Sequence, residues 1–384
     1  MYIIFLTLMA TIPLFQEKKR IVEGEGECNT LLVSPLPIFP FLQTVRSLST
    51  HSSLSKDSSL HKNVCLLIFY VGTNVLSVWE GIGMGELRLE EFMSRFNTEE
   101  ACADYLFQQK WPEGFVCPRC SHRQFYKIDT RRLPLYECAL CHYQASLIVG
   151  TVMEGSHTAL QKWFLAIYLV SQPFPGISAM ALKEEIKVTY KTAWLMLHKI
   201  RRAMSEADAS VQLSGIVQVH DACYGRPYNP WHFTHAEEHP LLVGVNLNEQ
   251  KEPTYIKMKL LVETPREKRI NRQEKENFAD RYIKSEESKV EFITERLKPR
   301  RLKKGYPLFV NARHWINETF HGLGRRHLQV YLDEFSYRIN RMLQNAPLFD
   351  SLIQCCASSK AVSYRTIVGR RRRFRQKRLA GLPI

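Results

Sequence analysis

Apolar positions recur along this chain with two different periods, and the change of period divides it. Leu160, Trp163, Phe164, Ile167 and Val170 fall at helical spacing, the stripe of a helix facing a core. Pro173, Pro175 and Gly176 stop it. Ser178 then predicts an N-cap for a short helix to about Ile186. After a turn at Lys187 to Tyr190 comes a second helix, Lys191 to Met204, with Trp194, Leu197, Ile200 and Met204 as its buried stripe. Beyond it the period drops to two: Gly215 to His220, Leu241 to Val245 and Tyr255 to Val262 read as strands. Charged segments at Arg266 to Lys284 and Lys289 to Leu302 read as helices. Leu328, Leu332, Phe335, Ile339 and Met342 mark a final amphipathic helix. Upstream, Leu87, Phe92 and Phe96 and the run from Thr98 predict two short helices, Thr98 being the N-cap of the second.

The first 83 residues have a different character. Met1 to Phe15 is apolar but lacks the basic start of a signal peptide. Val64 to Val78 is too short to span a bilayer. Leu48 to Leu60 is rich in serine. This stretch is expected to be either disordered or a translated leader foreign to the protein. Trp79-Glu80-Gly81 can be encoded with the ribosome-binding sequence GGAGG ahead of Met84, which favours the second and makes Met84 the expected functional start.

Charge changes the picture. Across 384 residues, 53 Lys and Arg face 38 Asp and Glu, a net +15 that points to a polyanion, nucleic acid first. The cations cluster in a tail (Arg370 to Arg373, Arg375, Lys377, Arg378) and in the second of the paired helices. There Lys191, His198, Lys199, Arg201 and Arg202 lie largely off the apolar stripe. Helix, short turn and basic helix make a helix-turn-helix pattern, so these five are the candidate DNA contacts; the plain alternative is a solvated charged face.

The strongest chemical signal is Cys117-Pro-Arg-Cys120 answered by Cys138-Ala-Leu-Cys141. Two Cys-x-x-Cys turns joined by a short hairpin make a closed S4 site suited to structural Zn²⁺. Phe125, Tyr126, Ile128 and Tyr136 between them are too few for a core, so metal has to supply folding energy. Two disulfides are the alternative, and they need an oxidising compartment. The other six cysteines show no framework spacing, which favours a reducing cytoplasm.

Five stretches in order resemble the zinc-ribbon insertion-sequence transposases of bacteria, members of the DDE superfamily. They are Trp111 to Cys120, Gly150 to Ser156, Lys162 to Leu169, Thr192 to Arg201 and His327 to Arg341. The resemblance implies a multi-domain α+β chain: N-terminal helices (84–112), a zinc ribbon (113–150), a helical DNA-binding region (151–210) and an RNase H-like α/β domain (215–345); the basic tail (346–384) lies past the match. It implies DNA transposition, with double-stranded DNA at transposon ends as partner, no membrane, a bacterial cytoplasm, and room for a homo-oligomer. It also implies Mg²⁺: carboxylates on neighbouring strands hold two ions that activate the attacking oxygen and stabilise the leaving one.

On the family pattern, the first catalytic Asp falls on His220, with Asp221 one step on and so on the opposite face of the strand. The second falls on Ile293, flanked by Glu291 and Glu295. The third, commonly Asn, falls on Asn311. Two of three ligand positions are thus substituted, which puts Mg²⁺ and catalysis in doubt for this copy. Three readings follow: a transposase using a rearranged set (Asp221, Glu291 or Glu295, Asn311), a non-catalytic zinc-dependent DNA-binding protein, or a decayed remnant.

Overall fold

A computed structural model describes residues 87–172, 176–225, 237–261, 270–293 and 304–369, all within one compact unit, Ser58–Ile384. The leader, Glu295 and the Arg370 to Arg378 tail lie outside the described residues.

Two helices open the described chain, α1 (Leu89–Arg95) and α2 (Glu99–Lys110). The Thr98 side chain accepts the Ala101 N–H at 3.1 Å and starts α2 as its sequence suggests. A three-stranded antiparallel sheet follows, β1 (Phe125–Ile128), β2 (Leu135–Cys138) and β3 (Gln144–Ser146). Next come α3 (Leu160–Ser171), α4 (Ala179–Ile186) and α5 (Tyr190–Ala209). Ser178 caps α4. Thr189 caps α5, so that helix begins before Lys191 and runs past Met204.

A four-stranded sheet is built from β4 (Leu213–Tyr224), β5 (His239–Leu247), β6 (Pro253–Leu260) and β7 (Ile283–Ile293), in the order β6-β5-β4-β7. The first three strands pair antiparallel; β7 returns parallel to β4 after helix α6 (Arg272–Tyr282). Helices α7 (Gly305–Phe320), α8 (Arg325–Leu343), α9 (Leu348–Ser358) and α10 (Tyr364–Val368) complete the described chain.

The charged segments are corrected here. Asn271 caps α6, which starts at Arg272 and ends at Tyr282. Residues 289–293, expected in a helix, form the end of β7. Val290 packs with the α6-side core while Ile293 is buried on the other face, a period of two that helical sequence cannot supply.

Three apolar clusters hold the unit. One joins α1, α2, the ribbon, α3, α4, α5 and α9. The others lie on the two faces of the larger sheet, α7 and α8 against one and α6 against the other. Helix α8 is more than amphipathic: residues 331–340 are all buried. Its carboxamides cover the free edge of β6. Asn340 pairs with both backbone groups of Ile256, accepting its N–H at 2.8 Å and donating to its carbonyl at 2.9 Å. Gln329 accepts the Leu260 N–H and donates to the Met258 carbonyl. An edge strand treated this way offers no template to another chain.

Candidate functional site

Two places in the molecule gather residues whose chemistry matters. The first is the ribbon. Residues of each knuckle fold back on themselves: the Ser121 N–H reaches the Cys117 carbonyl, and the His142 N–H reaches that of Cys138. Ser121 and His142 both take left-handed backbone (φ 62° and 54°), which closes the turns. Pairing of β1 with β2 then brings the knuckles together. Cys117 and Cys141 sulfurs stand 3.6 Å apart, Cys120 and Cys138 sulfurs 3.5 Å, and all four lie within 4.8 Å of one another. A tetrahedron with Zn–S bonds of about 2.3 Å has sulfur–sulfur edges of about 3.8 Å, so the set fits a zinc ion. All four are free cysteines, which removes the disulfide alternative.

Electrostatics agree. Burial raises the Cys117 thiol, but the Arg119 and Cys120 backbone N–H groups favour its thiolate, and the balance lowers it to about 7. The His122 N–H favours the Cys120 thiolate too, yet the sulfurs of Cys141, Cys138 and Cys117 push it up to about 12. Four thiolates this close need a cation between them. Behind the site, Phe107, Trp111, Phe115, Phe125 and Tyr136 stack ring on ring, tying the ribbon to α2. The Lys110 ammonium donates to the carbonyls of Ser146, Leu147 and Val149, holding the exit of β3.

The second place is the centre of the larger sheet. His220 and Ile293 are direct partners across the parallel β4–β7 pair, and both are buried. Their side chains face α7. A Cβ on Gly305 would come 2.7 Å from His220 Nε2, so the imidazole lies hard against the first turn of that helix, and only glycine admits the contact. Asp221 points the other way, toward α6, where Lys275 pairs with it at 2.9 Å. Glu291 is exposed on the His220 face and accepts from Gln218 at 3.3 Å. Asn311 is half-buried on α7, the helix over that face. Among the described residues the expected rearranged set is therefore not assembled: Asp221 lies across the sheet from Glu291 and Asn311 and is already paired with Lys275. Among the described residues, the four ribbon cysteines are the one group of three or more His, Cys, Asp or Glu side chains converging as metal ligands.

The candidate DNA contacts on α5 divide sharply. His198, Lys199 and Arg201 are buried, not off the core stripe, because α5 packs on both sides. His198 sits between Trp194 and His327. Lys199 donates to the Glu154 carbonyl at 3.0 Å. Arg201 bonds Glu334 of α8 at 2.6 Å and lies 4.0 Å above the Tyr331 ring. Lys191 and Arg202 remain exposed, Arg202 paired with Glu206 at 2.9 Å.

Sequence reasoning did not find the α8 residues. Asp333, with Asp208 of α5, neutralises Lys259, and Asp208 also holds Lys257, all buried. The available signal was a second, polar stripe on α8, with Gln329, Asp333 and Asn340 at helical spacing. A stripe of that kind ordinarily faces water.

Comparison with known proteins bears on the ribbon. A model of the transposase zinc-ribbon domain matches residues 97–144, a span that contains α2, β1, β2 and all four cysteines. Residues 97–144 form a transposase zinc-ribbon domain. The chain is also 34% identical, over 110 residues, to an uncharacterized protein in the transposable element ISH50 of Halobacterium salinarum. That match covers 28% of this chain and 37% of the relative, so the chain spans well under half of the protein it resembles. No solved structure matches. The transposase ribbon thus rests on its fold, its ligand geometry and its family together. No helix among the described residues is long and apolar enough to cross a membrane.

Proposed function

We propose that this chain is a transposase-family protein that holds double-stranded DNA at transposon ends through its ribbon and the α4–α5 pair, without cutting it. Support for the transposase reading comes from the ribbon family and the transposable-element relative. The larger sheet supports an RNase H-like domain: three antiparallel strands, a helix, then a strand parallel to the first and beside it. Helices α4 and α5, joined by Lys187–Thr189, support a helix-turn-helix in which the exposed N-terminal end of α5 approaches the duplex.

The observation that carries the non-catalytic reading is the His220–Ile293 pair. Two-metal phosphodiester chemistry needs anionic oxygens on adjacent strands, open to the DNA. Here those two places hold an imidazole packed against Gly305 and a hydrocarbon, with Asn311 as a neutral third group. Among the described residues, His220, Ile293 and Asn311 do not fit Mg²⁺. Zinc, by contrast, fits the ribbon, where Cys117, Cys120, Cys138 and Cys141 would hold it and it would supply folding energy alone.

The test is a duplex carrying the DNA that flanks the gene, incubated with the full-length protein and Mg²⁺. The duplex is expected to be retarded and uncut. Mg²⁺-dependent cleavage would overturn the non-catalytic reading; absence of any retarded species would overturn DNA binding.

A further inference from the structure

The last described residues return to the start of α5. Tyr364 of α10 sits 5.9 Å from the Trp194 ring, and the Lys191 ammonium lies 4.8 Å above the Tyr364 ring. Trp194 in turn touches His327, in the first turn of α8. Gly369, just past α10, ends beside the Arg326 guanidinium, 3.0 Å from where its Cβ would be. Three helix ends therefore meet, and each presents an exposed cation: Lys191 on α5, Arg326 on α8 and Arg365 on α10. Exposed Lys187 precedes the same end of α5. Acids are sparse: Glu184 and Glu185 flank the patch on α4, and Glu184 is paired with Lys183 at 2.8 Å. None of the α10 side chains is buried, so that helix contributes little to the core. Its aromatic anchor is Tyr364, and Arg365 is the next residue along the helix. Nine cations and no acid follow Asp350, so this end of the chain carries nine of the net fifteen charges.

We infer that the ends of α5, α8 and α10 form one phosphate-binding face for a DNA duplex, with Lys187, Lys191, Arg326 and Arg365 as its contacts. This rests on the DNA-binding reading above and adds the place where the backbone is gripped. Duplex fits better than single strand because the cations stand on three separate helix ends. Single-strand sites instead line a groove with free rings for bases to stack on. Here Tyr364 packs on Trp194 and carries Lys191 on its ring, and Tyr190 is the one other exposed ring at this end of α5 among the described residues. The α10 contact is what adds Arg365 to the face, since it brings the chain as far as Gly369 back to Arg326. The face reads no bases by itself, since phosphate contacts position a protein on DNA while base edges specify it.

The test is fluorescence anisotropy of the full chain with a labelled mixed-sequence duplex across a salt series. The triple variant Lys191→Gln, Arg326→Gln, Arg365→Gln is expected to bind at least tenfold more weakly near 0.1 M salt. Its log-affinity against log-salt slope should be shallower by roughly 2 to 3, about 0.9 for each phosphate that is no longer neutralised. Arg272→Gln, an exposed cation on α6, is expected to match the parent. All four residues are exposed, and matching thermal melts confirm that the variants fold. A triple variant with the parent's slope overturns the inference while leaving DNA binding elsewhere intact. A parent that does not bind duplex overturns both. Preferential displacement by single-stranded competitor overturns the assignment to a duplex.

Discussion

The ribbon and the centre of the larger sheet are built the same way and have come to opposite chemical ends. Each uses strand pairing to bring side chains from distant sequence into register. In the ribbon, β1–β2 pairing delivers four sulfurs to within 4.8 Å of one another. In the sheet, β4–β7 pairing delivers His220 and Ile293 to matched positions just as faithfully, yet they form no ligand set. The difference lies in what holds each region together. The ribbon has a single aromatic layer and needs a cation for its thiolates. The sheet has apolar clusters on both faces, so Val243, Val245 and α7 hold the backbone around position 220 by packing alone. A structural metal site cannot lose its ligands and persist; a sheet with its own apolar core stands without any.

The largest effect should come from breaking the ribbon. Cys138→Ser, or stripping zinc with a strong chelator, removes metal-linked folding energy on the order of 10 kcal/mol. The ribbon strands β1 to β3 should then lose protection from proteolysis while the larger sheet keeps its own. Equal loss across both regions would mean that they are not independent in this way.

Next comes the buried pair that α5 makes with α8. Glu334→Ala leaves Arg201 charged and without its carboxylate, and should cost about 3–5 kcal/mol in urea unfolding. Replacing both, Arg201→Met with Glu334→Leu, should recover part of that loss, Arg338 still losing the carboxylate 3.9 Å away, and should leave duplex binding intact. Loss of DNA binding in a stable double variant would restore Arg201 as a DNA contact.

A smaller effect follows from His198. Burial first, then the charges of Arg201 and His327, lowers it to about 3. The unfolded chain, with an ordinary pKa near 6.5, therefore takes up the proton first. Stability is complete above pH 6.5 and falls as pH drops below it, by about 2 kcal/mol between 6.5 and 5. Urea midpoints at the two pH values measure this, and His198→Phe should remove most of the difference.

How much of this was legible in the sequence depends on whether the signal was local. Cysteine spacing and the Thr98 and Ser178 caps act within one turn of chain, and the structure carries them as read. The polar residues of α5 were misread, and those of α8 passed over, because periodicity reports which residues share a face, not what the face meets. His198, Lys199 and Arg201 look like a solvated stripe until α8 supplies Glu334, 133 residues away. Residues 289–293 failed for a related reason. Their charge suggested a solvated helix, whereas the partner that makes them a strand is β4, far upstream. The exposed end of α5, joined by α10, could not be seen at all without the Lys191–Tyr364 contact.

The contrast between the two regions is tested most directly by metal content. Full-length protein purified under reducing conditions and equilibrated with both zinc and magnesium should hold one zinc per chain. That zinc should be lost on substituting any of the four cysteines, and calorimetric titration should show no magnesium binding. A zinc-free folded protein would contradict the ribbon's role. A magnesium ion whose binding is abolished by Asn311→Ala would contradict the account of the sheet.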